Sequence, residues 1–302
     1  MAAWTPRRRR PSVSIAMATY QGERYLPRQL QTLAEQTLAP TELVVRDDGS
    51  TDRTVEILHA FAAGAPFPVT VLAGEERLGY AQNFVAASQR CTGDLVLFAD
   101  QDDEWRPAKL EVVADACAGL GLDAPRALFH DFALMGADGA ELAPSAYAVL
   151  EQRGLSRAVA LKGCTLAVTR AFVGLWGWPP ADTTISHDFW VALLATAFGQ
   201  RTNLDAVLID HRLHDSQASG WVPDDSSRTF TTAGTRVGDV ELLLDLVLKH
   251  RRVKGWTRAF LDETDRVGDQ VSAEAAARFR MRLRTHRRRY RRAREAAAGS
   301  AT

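Results

Sequence analysis

Four times in its first ~120 residues the chain sets a short apolar, β-prone run ahead of a stretch with helical spacing. The expected strands are residues 13–19, 42–46, 69–72 and 94–99. The expected helices are 23–36, 52–63, 80–91 and 108–118. In the first helix Tyr25, Leu26, Leu30 and Leu33 share a face, and Pro27 sits in the first turn, where a missing N–H costs little. Strand–helix alternation of this kind calls for a parallel sheet with right-handed crossovers. The strands then point one way, and whatever chemistry their C-terminal ends carry collects at a single sheet edge, where an open α/β sheet opens its ligand crevice.

Two acidic clusters sit at such ends. After the second strand comes Asp47-Asp48-Gly49-Ser50-Thr51-Asp52, in which the glycine allows a tight turn, Ser50 or Thr51 can cap the next helix, and Asp52 complements its dipole. The fourth strand, Leu95-Val96-Leu97-Phe98, breaks into Asp100, Asp102 and Asp103. Carboxylates this dense repel one another unless a cation sits among them, and all-oxygen donors favour a hard ion such as Mg²⁺ or Mn²⁺. An isolated Asp-x-Asp is more often a solvated turn. Two such clusters on one edge argue instead for a site that takes something phosphorylated and metal-bound. Neither Gly-x-Gly-x-x-Gly nor Gly-x-x-x-x-Gly-Lys follows the first strand, which disfavours a dinucleotide oxidoreductase or a P-loop kinase.

Net charge is uninformative, with 37 basic and 37 acidic residues, but its distribution is not. Residues 7–10 are four arginines, and ten more lie between 278 and 294 with no acid among them, so the middle of the chain is net acidic. Three widely spaced cysteines, Cys91, Cys117 and Cys164, argue for a reducing compartment and against a zinc site or disulfide framework. No apolar run approaches the ~20 residues of a membrane span, and the N-terminus lacks a signal-peptide core, so a cytoplasmic protein is expected. Further along, residues 126–135, 161–168 and 203–210 read as strands, 140–160 is ambiguous, and 174–180 is aromatic and irregular. Ser186 is a natural N-cap that puts His187 and Asp188 in the first turn of a helix to residue 198; taken alone, Asp188 there reads as dipole complementation. The strand ending at Asp210 runs into His211-Arg212-Leu213-His214, whose alternation puts His211 and His214 on opposite faces. Residues 240–248, 256–267 and 274–294 read as helices. The last carries Phe279, Leu283, His286 and Tyr290 as a narrow stripe among arginines: a solvated basic helix with one packing stripe, with a docking helix, a nucleic-acid patch or an interfacial helix on anionic lipid as alternatives.

Seven segments, in order, carry a resemblance: Met17-Ala-Thr-Tyr-Gln-Gly-Glu-Arg-Tyr-Leu26, Asp47-Asp-Gly-Ser-Thr-Asp52, Leu78-Gly-Tyr-Ala-Gln-Asn83, Gly93-Asp-Leu-Val-Leu-Phe-Ala-Asp-Gln-Asp-Asp-Glu-Trp105, Lys162-Gly-Cys-Thr165, His187-Asp-Phe-Trp190 and Arg212-Leu-His214. Together they resemble the family 2 glycosyltransferases of the GT-A fold, in particular the bacterial rhamnosyltransferase-like branch. The resemblance spans residues 13–220. It implies an α/β fold, over a domain of residues 12–220, with a mostly parallel sheet flanked by helices; outside it, composition gives a disordered basic N-terminus (1–11) and helical spacing gives a helical C-terminal extension (221–302) that the resemblance does not cover. It implies that Thr19, Tyr20, Asp47, Asp48, Asn83, Asp100 and Gln101 bind the nucleotide-sugar, that Asp102 and His214 hold Mn²⁺ or Mg²⁺, and that Asp188 is the catalytic base of an inverting transfer. The implied partners are a nucleotide-diphosphate sugar, with rhamnose or a hexose as the sugar, and a glycan or lipid-linked acceptor; no nucleic acid is expected, and the basic helix offers a peripheral contact with the inner face of the plasma membrane. The sequence departs from the family at His211, where tyrosine is common before the arginine. The competing readings are a nucleotidyltransferase, for which Gln21-Gly-Glu-Arg24 supplies no basic phosphate loop, and a non-catalytic scaffold with Arg-rich ends that bind lipid or nucleic acid.

Overall fold

A computed structural model describes residues 9–74, 76–183, 185–215, 239–249 and 256–299. Strand β1 (Val13–Thr19) pairs in parallel with β2 (Glu42–Asp47) on one side and β4 (Leu95–Ala99) on the other, and β3 (Val69–Ala73) extends β2. Helices α1 (Leu26–Ala34), α2 (Thr54–Gly64) and α3 (Tyr80–Ser88) are the crossovers. In register, Thr19 lies beside Asp47 and Met17 beside Ala99, so the chain leaves β1, β2 and β4 at the same edge, as alternation requires.

The period-2 pattern of these strands sorts them onto two cores. Ala16, Val44, Val96 and Phe98 face one layer, and Ile15, Met17, Leu43, Val45, Leu95 and Leu97 face the other, all buried. The second layer is closed by α1, by α2 and by α4 (Lys109–Leu120), through Leu26, Leu30, Leu33, Leu58, Leu110 and Val113. The first is closed by α3 and by α7 (His187–Ala197), which is buried almost all round.

Beyond β4 the sheet becomes mixed. Its order is β3-β2-β1-β4-β8-β6-β9-β5, where β5 is Glu104–Trp105, β6 is Ala127–Met135, β8 is Leu166–Thr169 and β9 is Arg201–Arg212, and β7 (Glu141–Ala143) pairs with β6. Strand β8 runs antiparallel to both β4 and β6, while β6 and β9 are parallel. Several local features differ from the sequence reading. Residues 163–165 form a 3₁₀ turn, so the strand expected from 161 begins at Leu166. Thr169 ends it and caps α6 (Arg170–Trp176), its hydroxyl accepting from Phe172 N, so the first three residues of the stretch read as irregular are helical. The ambiguous stretch holds α5 (Ala146–Gln152), capped by Ser145. At α2, Asp52 bonds the N–H and hydroxyl of Thr54, the role the sequence offered to Ser50 or Thr51. Strand β9 runs on through His211 and Arg212.

The C-terminal helices α8 (Asp239–Lys249), α9 (Trp256–Val267) and α10 (Ala273–Gly299) join the first core. Phe260 stacks on Trp190 of α7 at 4.4 Å, and Phe279 meets Phe198 at 5.6 Å. Phe279 and Leu283 of the stripe are buried in that core; the side chains of His286 and Tyr290, and residues 216–238, lie outside the described residues. At the other end residues 1–8 are also outside them, and Arg9 pairs with Asp94 and Arg10 with Glu111 and Asp115. Among the described residues no helix is long and apolar enough to cross a membrane.

Candidate active site

Along the edge where β1, β2 and β4 end lies a cavity of about 480 Å³. Of the expected site residues, Thr19, Tyr20, Asp48, Asn83, Asp100, Gln101, Asp102 and Asp188 line it. Asp47 lies behind this lining, and His214 reaches it through Asp102.

In the wall built by β1, β2 and α3 the acids are held in hydrogen bonds. Asp47 is buried and accepts from Gly49 N (3.1 Å), Ser50 N (2.7 Å), Ser50 Oγ (2.6 Å) and Thr19 Oγ1 (2.8 Å). That leaves Asp47 no lone pair for a ligand: it builds the turn, in which Gly49 takes φ +85°. Asp48 accepts from Leu78 N (2.7 Å), Gly79 N (2.8 Å) and Arg46 (2.9 Å), tying the loop before α3 to the end of β2. Arg46 also donates to Asn83 Oδ1 (2.6 Å), and Asn83 Nδ2 returns a bond to Arg46 O (3.0 Å). Sequence reasoning passed over Arg46; its one signal was a cation closing an apolar strand directly before two acids. Gln101 is a strut, its amide exchanging bonds with both backbone polar groups of Tyr20 at 2.9 and 3.0 Å. Arg77 lies over the Tyr20 ring, 3.9 Å from its centroid, and 4.0 Å from Asp48.

The floor is the acidic end of β4 facing β9. Alternation on the two segments matches: His211 Nδ1 is 2.8 Å from Asp103 Oδ1, and His214 Nε2 is 2.8 Å from Asp102 Oδ2. Arg212 between them bonds Asp102 O and Glu104, and its guanidinium lies 4.7 Å from the Tyr25 ring centroid. Tyr25 also packs on His214, at 5.0 Å between rings. Burial, then repulsion from Asp103 and Asp102, pushes the Asp100 carboxyl up to about 7. Burial and Asp103 raise Asp102 too, opposed by His214. Burial works against Asp103 as well, but His211 and the N–H of Arg212 hold it down to about 2. Asp103, Cys164 and His211 place one donor atom each within 4.8 Å of one another, all buried, a cluster that the wide spacing of the cysteines does not announce. Beneath them Lys109 is entirely enclosed, its Nζ donating to Cys164 O (2.6 Å) over the Trp105 ring, and burial lowers it to about 7. Three neighbouring acids, two of them raised, with an imidazole nitrogen against the middle carboxylate, fit a divalent cation at Asp102 and His214.

The far wall is the first turn of α7 facing Lys162 and Gly163. Asp188 is half-buried and accepts from Phe189 N (2.7 Å). Ser186 occupies the N-cap position, but its side chain makes no capping bond; the turn closes through Trp190 N to Ser186 O. His187 is buried between Phe84 and Phe98.

Comparison with known proteins bears on this arrangement. Residues 14–124 match the model of Glycosyl transferase family 2. The chain is similar to TuaG of Bacillus subtilis (strain 168), described as a putative teichuronic acid biosynthesis glycosyltransferase. The two are 28% identical over 223 residues, 70% of this chain and 82% of that protein. Other curated relatives match over a shorter stretch, and the chain spans 32%, 33% or 36% of their length. Among solved structures, S. aureus TarS 1–349 in complex with UDP superposes with a TM-score of 0.55 at 19% identity, over 93% of this chain and 91% of that one. Mannosyltransferase PcManGT from Pyrobaculum calidifontis, in complex with GDP-Man and Mn²⁺, gives 0.52 at 20%, over 89% and 78%. At such identities the likeness shows the fold alone, which is that of the GT-A glycosyltransferases.

Proposed function

We propose, from the match of residues 14–124 to Glycosyl transferase family 2, that the chain moves a sugar from a nucleoside-diphosphate donor to a hydroxyl of a cell-surface glycan precursor, with inversion. The observation that carries this is the convergence on one cavity of the Asp48–Asn83 wall, the acidic floor and Asp188. The wall, preformed around Arg46 and Asp48, receives the nucleoside beside Tyr20, whose ring Arg77 covers. Asp102 and His214 would hold the metal, and Asp100 lies beside them. A carboxylate favours Mg²⁺ or Mn²⁺ and an imidazole favours transition metals, so the mixed pair points to Mn²⁺. When bound, such an ion neutralises the diphosphate and makes it a better leaving group. Asp188, across the cavity, accepts the proton of the acceptor hydroxyl as that oxygen bonds the anomeric carbon and the bond to the diphosphate breaks. No covalent intermediate is needed, and a positioned base contributes ~10²–10⁴-fold.

The acceptor is a glycan or lipid-linked precursor, and the arginines of α10 would bring the protein to the inner membrane face by attraction to anionic lipid. A thermal-shift panel of UDP, dTDP and GDP, each with and without Mn²⁺, tests the donor site, because a ligand of the native state raises the midpoint by mass action. One nucleotide should stabilise the protein in a metal-dependent way, and Asp102→Ala should abolish the metal dependence. If no nucleotide shifts the midpoint under any metal condition, the proposal fails.

A further inference from the structure

We propose that the exposed ring of Tyr80 is the platform on which the acceptor sugar stacks, and that this end of the cavity selects a neutral pyranose. The assignment rests on the transferase reading above and deepens it at the acceptor.

Tyr80 is the first residue of α3 and lines the cavity together with Asp188. Its hydroxyl end is sunk among acids: burial and the charge of Asp188 push the phenol up, hydrogen bonding with Ser186 opposes them, and Asp100 adds to the rise. The residue as a whole is nevertheless 54% exposed. The open part is therefore the ring. Among the described residues the exposed large apolar side chains are Tyr20, Leu78, Tyr80, Leu142 and Met281. Three of these gather at one place, since Tyr20 and Tyr80 line the cavity and Leu78 is bonded through its N–H to Asp48 beside them. An apolar residue exposed singly needs no explanation, whereas a cluster rimmed by polar groups marks a binding surface. Within the cluster Arg77 covers Tyr20, but among the described residues neither a guanidinium nor another ring lies over Tyr80.

The neighbours of the ring select its occupant. An acceptor hydroxyl has to reach Asp188, so the sugar that carries it lies against whatever lines the cavity next to that carboxylate. An aromatic face is apolar and carries the negative lobe of the ring quadrupole. One face of a pyranose presents C–H groups that are apolar and weakly positive, while the hydroxyls around its edge stay free for water and for Asp188. The two faces match in both respects. Charge then narrows the class: Asp188 and Asp100 line the same space and would repel a uronate or a phosphorylated ring. The nucleoside already has the wall of Thr19, Asp48 and Asn83, which leaves the Tyr80 ring to the acceptor.

The test compares the full-length wild type with Tyr80→Ala and Tyr80→Phe in the presence of Mn²⁺. Nucleoside diphosphate affinity is measured calorimetrically, and transfer kinetics are followed with the sugar nucleotide and a panel of methyl hexosides and their uronide counterparts. Tyr80→Ala should melt with the wild type and bind the nucleoside diphosphate equally well. Its KM for the preferred neutral glycoside should rise ~2–10-fold, on the scale of one aromatic contact, with kcat changed less. Tyr80→Phe keeps the ring and should hold KM near the wild-type value. An unchanged KM in Tyr80→Ala, or an equal rise in Tyr80→Phe, would overturn the platform. So would weaker nucleoside diphosphate binding by Tyr80→Ala, which would put the ring under the donor's base. A wild type that accepted only uronides, or no glycoside of the panel, would overturn the assignment while leaving the donor site standing. If the wild type bound no nucleoside diphosphate, the donor site and the platform would fall together.

Discussion

The two sides of the cavity are built on opposite principles. On the β1–β2–α3 side every carboxylate already has its partners: Asp47 accepts four hydrogen bonds, Asp48 three, and the Gln101 amide is engaged at both ends. On the α7–β9 side buried polar atoms are left over, namely both nitrogens of His187, Nε2 of His211 and Oδ2 of Asp103. The first side is shaped before any ligand arrives. The second holds polar groups at a cost to the fold that a bound ligand or cation would relieve. Such a division fits a site that must hold a nucleotide in one pose yet respond to the changing charge of a reacting sugar and diphosphate.

Substitutions on the two sides should therefore fail differently. The largest effect is expected at Asp188, where Asp188→Asn should lower the transfer rate ~10²–10⁴-fold with the melting midpoint intact. A variant that kept most of its rate would remove Asp188 from the chemistry. Next, Asp47→Ala should destabilise the protein by ~2–6 kcal/mol, because it removes four hydrogen bonds of ~0.5–1.5 kcal/mol each. Chemical denaturation with and without nucleotide would measure it, and a variant of unchanged stability but weakened nucleotide binding would show that the first side is not pre-built.

The smallest effect concerns Asp100, whose carboxyl is pushed up to about 7 by burial and by Asp103 and Asp102. The ordinary value is ~3.9, so the folded state holds this proton more tightly than the unfolded chain. Its contribution to stability is then full below pH ~4 and lost as pH rises through ~7. Asp100→Asn should accordingly raise the melting midpoint of the metal-free protein, by ~2–4 °C for each kcal/mol recovered, and the gain should grow from pH 5 to pH 8. A gain independent of pH would mean that the acids of the floor do not repel one another.

The parallel half of the fold was legible because each strand and its helix are adjacent in sequence and announce themselves by period. So was the edge at which Asp48 and Asp100 meet, since parallel strands send all their C-terminal ends one way. The second half was not. Strand β8 is four residues long and turns straight into α6, too short for periodicity to register, and α5 rests on a cap at Ser145 that reads as loop. The floor depends on partners 108 and 112 residues apart, Asp103 with His211 and Asp102 with His214, which no local pattern links. Motif resemblance singled out Asp102 and His214. Their direct contact, and the deeper Asp103–Cys164–His211 cluster, came only from folding.

By itself the sequence determined the layer architecture, the shared edge and the chemistry gathered there, because period, turn residues and charge density act over a few residues and survive without a fold. The tertiary structure alone decided which of those polar groups are engaged and which are left open. That Asp47 and Gln101 build the wall while His187 stays unpartnered follows from packing geometry, since a donor or acceptor is satisfied only by what the fold brings within ~3 Å of it.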